Sequence, residues 1–411
     1  MPWILQLFLI ASPSSAFFEN YSSTLIGEQS AGMGGAYTAG TKDSSALGYY
    51  NPAGFSRLER SSISASIIVF KKVETDYAAE SDIVSAGLRA NQGFFQSQPT
   101  SGTSVIRSRF GNFALSFLGP DFSTFGGEVQ ISDTNTSLLN YRDISQWMGV
   151  SYAKPVTETL DVGVSLFYTA RQMQKIVTDR TIVSADSARI FNSEKVLTAN
   201  SIVPILGIQY RLGEATLLGV SYRNMGVRVS GSASYYSNFY ETGGTVAPEK
   251  RYTKMVALSR IPERYALGIA HRFPYDILVH LDVIYHPGFT ENDVKQPEAR
   301  EVIRRKSITN YALGLEKEVV DKVNFRFGIF TDYAAVKNPS SKSGFQQTTS
   351  INKWGFSANL SYQENPSVAY VFGGYYVGGT GKAVERVDHE YQELTVQNQT
   401  FTMLIGTSYF F

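Results

Sequence analysis

The sequence predicts an all-β fold: a transmembrane antiparallel β-barrel of about fourteen strands, with an N-terminal segment folded inside its lumen. Three observations carry this reading. The chain closes on an alternating aromatic strand, runs of about ten residues alternate with period two, and very short turns alternate with long polar segments.

In the closing strand Phe401, Met403, Ile405, Thr407, Tyr409 and Phe411 share one face. Thr402, Gly406 and Ser408 share the other, because strand side chains alternate. Termini of soluble domains are usually exposed and frayed. The last strand of a bacterial outer-membrane barrel instead closes the wall and faces lipid. Tyr409 and Phe411 resemble the terminal aromatic signal read by the barrel-assembly machinery. The last strand of a soluble β-domain is the competing reading.

Composition points the same way. Of 411 residues 13% are aromatic, with 25 Tyr and 26 Phe, and 35 are Gly. Charged residues make up 18%, below the roughly 25% of soluble domains. A formal net charge of +1 gives no reason to expect a nucleic-acid partner. The absence of cysteine excludes disulfides, thiolate catalysis and zinc–cysteine sites. No apolar run reaches the roughly 18 residues of a spanning helix. Ile4–Ala11 followed by Ser12-Pro13-Ser14-Ser15-Ala16 reads as a secretory signal over residues 1–16, although no Lys or Arg precedes its apolar core.

Residues 17–58 show no sustained alternation, are short for a domain and are too apolar for a solvated tail. A small hatch inside the lumen fits them, leaving 59–411 as the barrel. Clear strands follow. Leu160, Val162, Val164, Leu166 and Tyr168 alternate with Asp161, Gly163, Ser165, Phe167 and Thr169. Ile277–Tyr285, Val323–Tyr333 and Trp354–Tyr362 repeat the pattern. Short links are expected at Gly111-Asn112, Pro155–Glu158, Gly213–Ala215, Pro274–Asp276, Val319–Asp321 and Glu364–Ser367. Long polar loops are expected over 73–102, 120–143, 173–199, 230–258, 288–306, 335–350 and 380–396, facing outward from the cell.

The 17–58 segment holds Gly32-Met33-Gly34-Gly35-Ala36-Tyr37, Asp43-Ser44-Ser45-Ala46 and Tyr49-Tyr50-Asn51-Pro52-Ala53-Gly54. This pattern resembles the hatch of the long-chain fatty-acid transporter family of outer-membrane proteins, which includes toluene and xylene channels. The resemblance implies a fourteen-stranded barrel plugged by the hatch, in the outer membrane of a Gram-negative bacterium. It also implies capture among outer loops, passage to an inner apolar pocket, and sideways exit beside a kink in the third strand. Gly34, Gly35, Asn51, Pro52, Ala53 and Gly54 are then hatch residues. Gly119-Pro120 becomes the candidate gate, since proline gives the ladder no donor and glycine weakens it. A strand simply ending at Pro120 is the bland alternative. A phosphate loop at Gly32–Gly35 is improbable, because no Lys-Ser/Thr follows.

Catalysis has little support: no Gly-x-Ser-x-Gly elbow or His-Glu-x-x-His occurs. His280 and His286 share a face but lie about 20 Å apart along a strand, too far to share a metal. No enzyme, cofactor or metal site is expected. Arg171, Arg211, Arg223, Arg272 and Arg326, with Asp161, Asp282, Glu316 and Asp332, fall at inward positions. Such charges hold a hatch in the bland reading and receive a substrate carboxylate in the sharper one. Arg107, Arg109 and Phe110, and the aromatic cluster Tyr235, Tyr236, Phe239 and Tyr240, are the candidate ligand contacts.

The expected function is passive uptake of hydrophobic small molecules, long-chain fatty acids first, with hatch rearrangement and lateral release. Partners would be the solute, outer-membrane lipid, lipopolysaccharide and the assembly machinery. A barrel partner in protein secretion and a surface adhesin or structural barrel are the alternatives.

Overall fold

The computed structural model describes residues 20–78, 88–94, 98–132, 134–184, 186–242, 247–258, 260–297, 302–339, 349–387 and 390–411. The expected signal segment lies outside them. The main sheet closes on itself, its first and last strands pairing from Ser62↔Phe410 to Ala78↔Thr395. Seventeen segments form this sheet, and three strands are each made of two segments, so the wall is a closed barrel of fourteen antiparallel strands. In chain order they are β1 (Ser62–Ala78), β2 (Leu88–Phe94 and Gln98–Ile106), β3 (Asn112–Ser132), β4 (Asn135–Pro155) and β5 (Leu160–Ser184). Then come β6 (Ser187–Leu212), β7 (Thr216–Arg223 and Val227–Glu241), β8 (Ala247–Val256 and Arg264–Phe273), β9 (Ile277–His286) and β10 (Ile308–Val320). The last are β11 (Val323–Asp332), β12 (Thr349–Asn365), β13 (Val368–Val387) and β14 (Glu390–Phe410). A small hairpin, Phe289–Asn292 with Val302–Arg305, lies between β9 and β10.

The alternation read from the sequence sets which side chains face out. Val164, Leu166 and Tyr168 are exposed, while Ser165 and Phe167 are buried. On β14 Phe401, Ile405, Tyr409 and Phe411 are exposed, while Thr402, Leu404 and Ser408 are buried. An apolar exterior of this extent belongs against lipid. Aromatic rings bound the apolar band at both edges. Tyr222, Tyr265 and Tyr285 pair across β7, β8 and β9, with centroids 4.9 and 6.3 Å apart. Tyr362 and Tyr370 pair across β12 and β13 near the opposite edge.

All six expected short links mark junctions between consecutive strands, although Asn112, Pro155, Val319, Val320, Glu364 and Asn365 lie within the strands themselves. Positive φ at Gly111 (131°) and Gly213 (68°) shows why glycine occupies two of them. The long loops need correction. Residues 173–199 lie almost wholly in β5 and β6, which stay paired from Leu160↔Tyr210 to Ser184↔Ser187. Most of 120–143 and 380–396 likewise continues as paired hairpin. Ladder hydrogen bonds join backbone to backbone, so a strand persists where its side chains have turned polar. Polarity marks where the wall leaves lipid and not where the strand stops.

The N-terminal segment lies against the inward faces of the wall. It carries two single-turn helices, α1 (Gln29–Gly32) and α2 (Leu47–Tyr50), and a 3-10 helix over Pro52–Arg57. Ile26, Met33, Tyr37, Leu47, Tyr50 and Phe55 form one apolar cluster with Val105, Leu118, Trp147, Phe167, Val203 and Ile205 of the wall.

Candidate functional site

The segment is held by polar side chains on its far side. Asp282 accepts hydrogen bonds from the backbone N–H groups of Tyr37 (2.9 Å) and Thr38 (2.8 Å). Ser357 Oγ accepts from Gly34 N (2.8 Å) and donates to Gly32 O (2.9 Å). Asp332 accepts from Ser22 N and Ser23 Oγ, and Arg57 pairs with Asp161. Within the segment Asp43 gathers the N–H groups of Glu28, Ser30 and Ser45. Asn51 accepts from Ala53 N (3.1 Å) and donates to Thr38 O (2.7 Å) and Ile208 O (3.1 Å), tying the Asn51-Pro52-Ala53 corner to β6. Pro52 opens the 3-10 helix, where its missing donor costs nothing.

Glycines on the wall let this backbone come close. A Cβ on Gly163 would lie 2.4 Å from Ala53 N, one on Gly219 2.2 Å from Thr38 O, and one on Gly328 2.2 Å from Gly34 N. Gly54 has the converse role, since a Cβ there would meet Gly40 O at 2.5 Å. Gly34 and Gly35 take φ of 66° and 76°, which turns the chain between α1 and Ala36. Glu28 is buried at the β14 seam, where Ser408 Oγ donates to it (2.8 Å) and Asn359 Nδ2 donates to its carbonyl (2.7 Å). Burial, then the nearby Asp43, pushes its carboxyl up to about 8.

Strand β3 does not end at Gly119-Pro120, which corrects the bland alternative: it continues to Ser132. Both neighbours nonetheless lose register there. Pairing of β2 with β3 ends at Ser101↔Leu118, and pairing of β3 with β4 jumps from Leu118↔Trp147 to Asp121↔Ser145. Gly119 sits against β2, where a Cβ would be 2.7 Å from Pro99 O. Among the described residues the wall between β2 and β3 therefore shows no ladder pair beyond Ser101↔Leu118, with a proline on each strand there.

Two adjoining cavities of about 30 Å³ each lie in the lumen against the N-terminal segment and share Tyr21, Tyr49 and Arg223. The first runs from Asp121 and Trp147 to Ile261 and Pro262, and the second is lined by Tyr50, Arg264 and His286. Arg223 lies over the rings of Tyr49 (5.4 Å) and Trp147 (5.6 Å), and Arg264 over Tyr50 (5.7 Å). Burial pushes the Tyr21 hydroxyl up to about 12 and raises those of Tyr37 and Tyr50.

The sequence-selected residues do not converge. Arg107 and Arg109 are not on an inward strand face but in the exposed turn after β2, where Arg107 donates to Glu59 O and Arg109 lies over Phe110. The strand stops at Ile106 because Ser108 and Gly111 close a tight turn. Arg211 and Arg272 are likewise exposed near short turns, Arg272 pairing with Asp276. Tyr235, Tyr236, Phe239 and Tyr240 are strand residues of the upper β7 segment, Tyr235 stacking on Tyr252 at 6.3 Å, and not loop residues. Arg171, Arg223 and Arg326 are buried, as are Asp161, Asp282, Glu316 and Asp332. Sequence reasoning missed Tyr21, Trp147 and Arg264, and held Tyr49 only as part of the hatch motif. Alternation with Ala266 and Gly268 places Arg264 inward and could have found it.

No family model matches the sequence. No curated protein matches it. Solved structures do. A FadL homologue from Pseudomonas aeruginosa is 12% identical with a TM-score of 0.70, covering 95% of this chain and 99% of its own. The toluene transporter TodX of P. putida (15%, TM-score 0.62) covers 94% and 98%. The toluene transporter TbuX of Ralstonia pickettii (15%, TM-score 0.60) also covers 94% and 98%. At such identities the likeness establishes the fold, and the resemblance read from residues 32–54 holds at that level.

Proposed function

We propose that the protein is a channel of the Gram-negative outer membrane for passive uptake of hydrophobic small molecules, with long-chain fatty acids as the leading solute. Residues 17–58 act as its hatch and Gly119-Pro120 as its lateral gate. One observation carries the reading: the cavity beneath the N-terminal segment is bordered by Asp121, the residue that follows the unladdered Gly119-Pro120 stretch. A solute leaving that cavity through the wall would meet lipid without crossing the polar turns. The transport roles named for TodX and TbuX support the same reading. Local rearrangement suffices, because the glycine contacts seat the rest of the segment tightly.

The test is native detergent extraction followed by mass spectrometry of copurifying small molecules. The wild type should carry an apolar acid enriched over bulk lipid, and Gly119→Val, whose Cβ would meet Pro99 O at 2.7 Å and so displace the two strands at the gate, should change uptake of that acid by cells severalfold. A barrel empty of apolar solutes but carrying a stoichiometric protein partner would overturn the channel in favour of a secretion role.

A further inference from the structure

Arg107 and Arg109 take no part in the lumen, but they stand beneath a second feature of the wall. Both lie in the turn that follows β2, and Arg60 lies just before β1, so three exposed arginines share one foot of the barrel. Arg60 Nη1 donates to Pro366 O (2.8 Å), Arg107 Nη1 donates to Glu59 O (3.0 Å), and Arg109 lies over Phe110. None of the three has an ion pair among the described residues. Short turns mark this foot as the periplasmic one, at the level of phospholipid headgroups.

Directly above, the outer face of the same strands is hollow. One row of the ladder runs Phe117, Gly102, Ala65, Thr407, Tyr370, from β3 through β2, β1 and β14 to β13. Three small side chains between two rings leave a groove of about 870 Å³ with no charged residue in its lining. Sites for small molecules span roughly 300–1,000 Å³. A Cβ on Gly102 would meet no atom within 4 Å, so the floor of the groove is open to whatever lies outside. From Gly102 down to Ile106 the chain descends about 13 Å at roughly 3.3 Å per residue. One leaflet contributes about 15 Å of hydrocarbon, half of a core of roughly 30 Å. The groove therefore lies in the periplasmic leaflet, with the arginines at its headgroup level.

We propose that the groove and the three arginines form a site for one anionic phospholipid of the periplasmic leaflet, its acyl chains in the groove and its phosphate on the guanidiniums. The inference concerns the outer wall and does not depend on what the channel carries. Guanidinium donors match phosphate oxygens in pairs, and arginine keeps its stem along apolar surface while its charged head stays at the membrane edge. The two rings stand four strand spacings apart, about 19 Å at roughly 4.8 Å each, which suits the paired chains of a phospholipid better than the single chain of a free acid. Pro99, opposite Ile67, lines the end of the groove away from the arginines. A bound lipid would thus lie against the outer side of the wall where the β2–β3 pairing ends.

The experiment is native mass spectrometry of the full-length barrel, purified in a non-ionic detergent and then supplied with dipalmitoyl phosphatidylglycerol, dipalmitoyl phosphatidylethanolamine or palmitate. The wild type should retain one phosphatidylglycerol, at least about fivefold more often than phosphatidylethanolamine. Arg60→Gln/Arg107→Gln/Arg109→Gln should bring the two phospholipids to equal retention. Gly102→Phe, which fills the groove from an open position, should lower both, with heat-dependent mobility on gels confirming a folded barrel. If Gly102→Phe does not fold, Ala65→Leu should give the same loss. Equal retention of the two phospholipids by the wild type, or a preference that survives the triple substitution, overturns the site. Palmitate retained in place of phospholipid and lost in Gly102→Phe overturns the phospholipid and makes the groove part of the passenger's route. A lipid-free dimer that Gly102→Phe dissociates overturns it in favour of a contact between copies of the barrel.

Discussion

Glu28 shows how one residue ties the interior to solution conditions. It sits between the Asp43 cluster and Ser408 of the closing strand, and its carboxyl is raised from 4.5 to about 8. The folded state therefore holds a proton that the unseated segment releases above pH 4.5. Stability of the seated segment is greatest below about pH 4.5, falls as pH rises through the interval, and reaches its floor above about pH 8. Hydrogen exchange at the amides of Glu28, Ser30 and Ser45 should accelerate beyond the intrinsic rate between about pH 4.5 and about 8, and Glu28→Gln should flatten that excess. A wild-type excess that is already flat would rule out the coupling. Little of this was legible in advance. Alternation shows which way a wall residue points, but an interior segment without period gives no such clue. That Arg171 pairs with Asp143 while Arg223 forms no ion pair among the described residues depends on contacts between distant strands.

At the scale of elements, the strands and short turns were legible because lipid outside and lumen inside impose opposite chemistry on alternate residues. Strand ends were not, since the ladder outlasts the apolar band. Nor was the break in β7 at Asn224–Gly226, where the alternation shows no lapse sharp enough to mark it. The glycine contacts are a further element-level feature, meaningful only once the inner backbone is in place. Gly328→Ala would put a methyl carbon 2.2 Å from Gly34 N and from Met33 C, backbone atoms that cannot rotate aside. We expect a loss of about 1–3 kcal/mol in the seating of residues 33–36. Faster limited proteolysis near Met33 should report it. Gly102→Ala is the matched control, since no atom lies within 4 Å of its added carbon, and it should stay within about 0.5 kcal/mol of wild type. Equal effects from the two would show that the close approach does not hold the segment.

The whole molecule is strongly asymmetric along its axis. Strands β5 and β6 have 25 and 26 residues, whereas about 9–11 suffice to cross a bilayer. At about 3.3 Å per residue, β5 is near 80 Å long, and more than half of it lies beyond the apolar band. The band ends at Tyr168, after which Gln172 and Gln174 occupy outward positions. At the other end the strands turn within a few residues of the band, as at Gly213–Ala215. In outer-membrane barrels long extensions face outward and short turns face the periplasm. An epitope inserted after Thr242, at the tip of β7, should thus bind antibody on intact cells. One inserted after Pro366, between β12 and β13, should bind only after the outer membrane is permeabilised. The reverse pattern would invert the barrel. It would place the projecting β5–β6 hairpin on the periplasmic side, where capture from the medium is impossible, and would favour the secretion-partner reading over uptake.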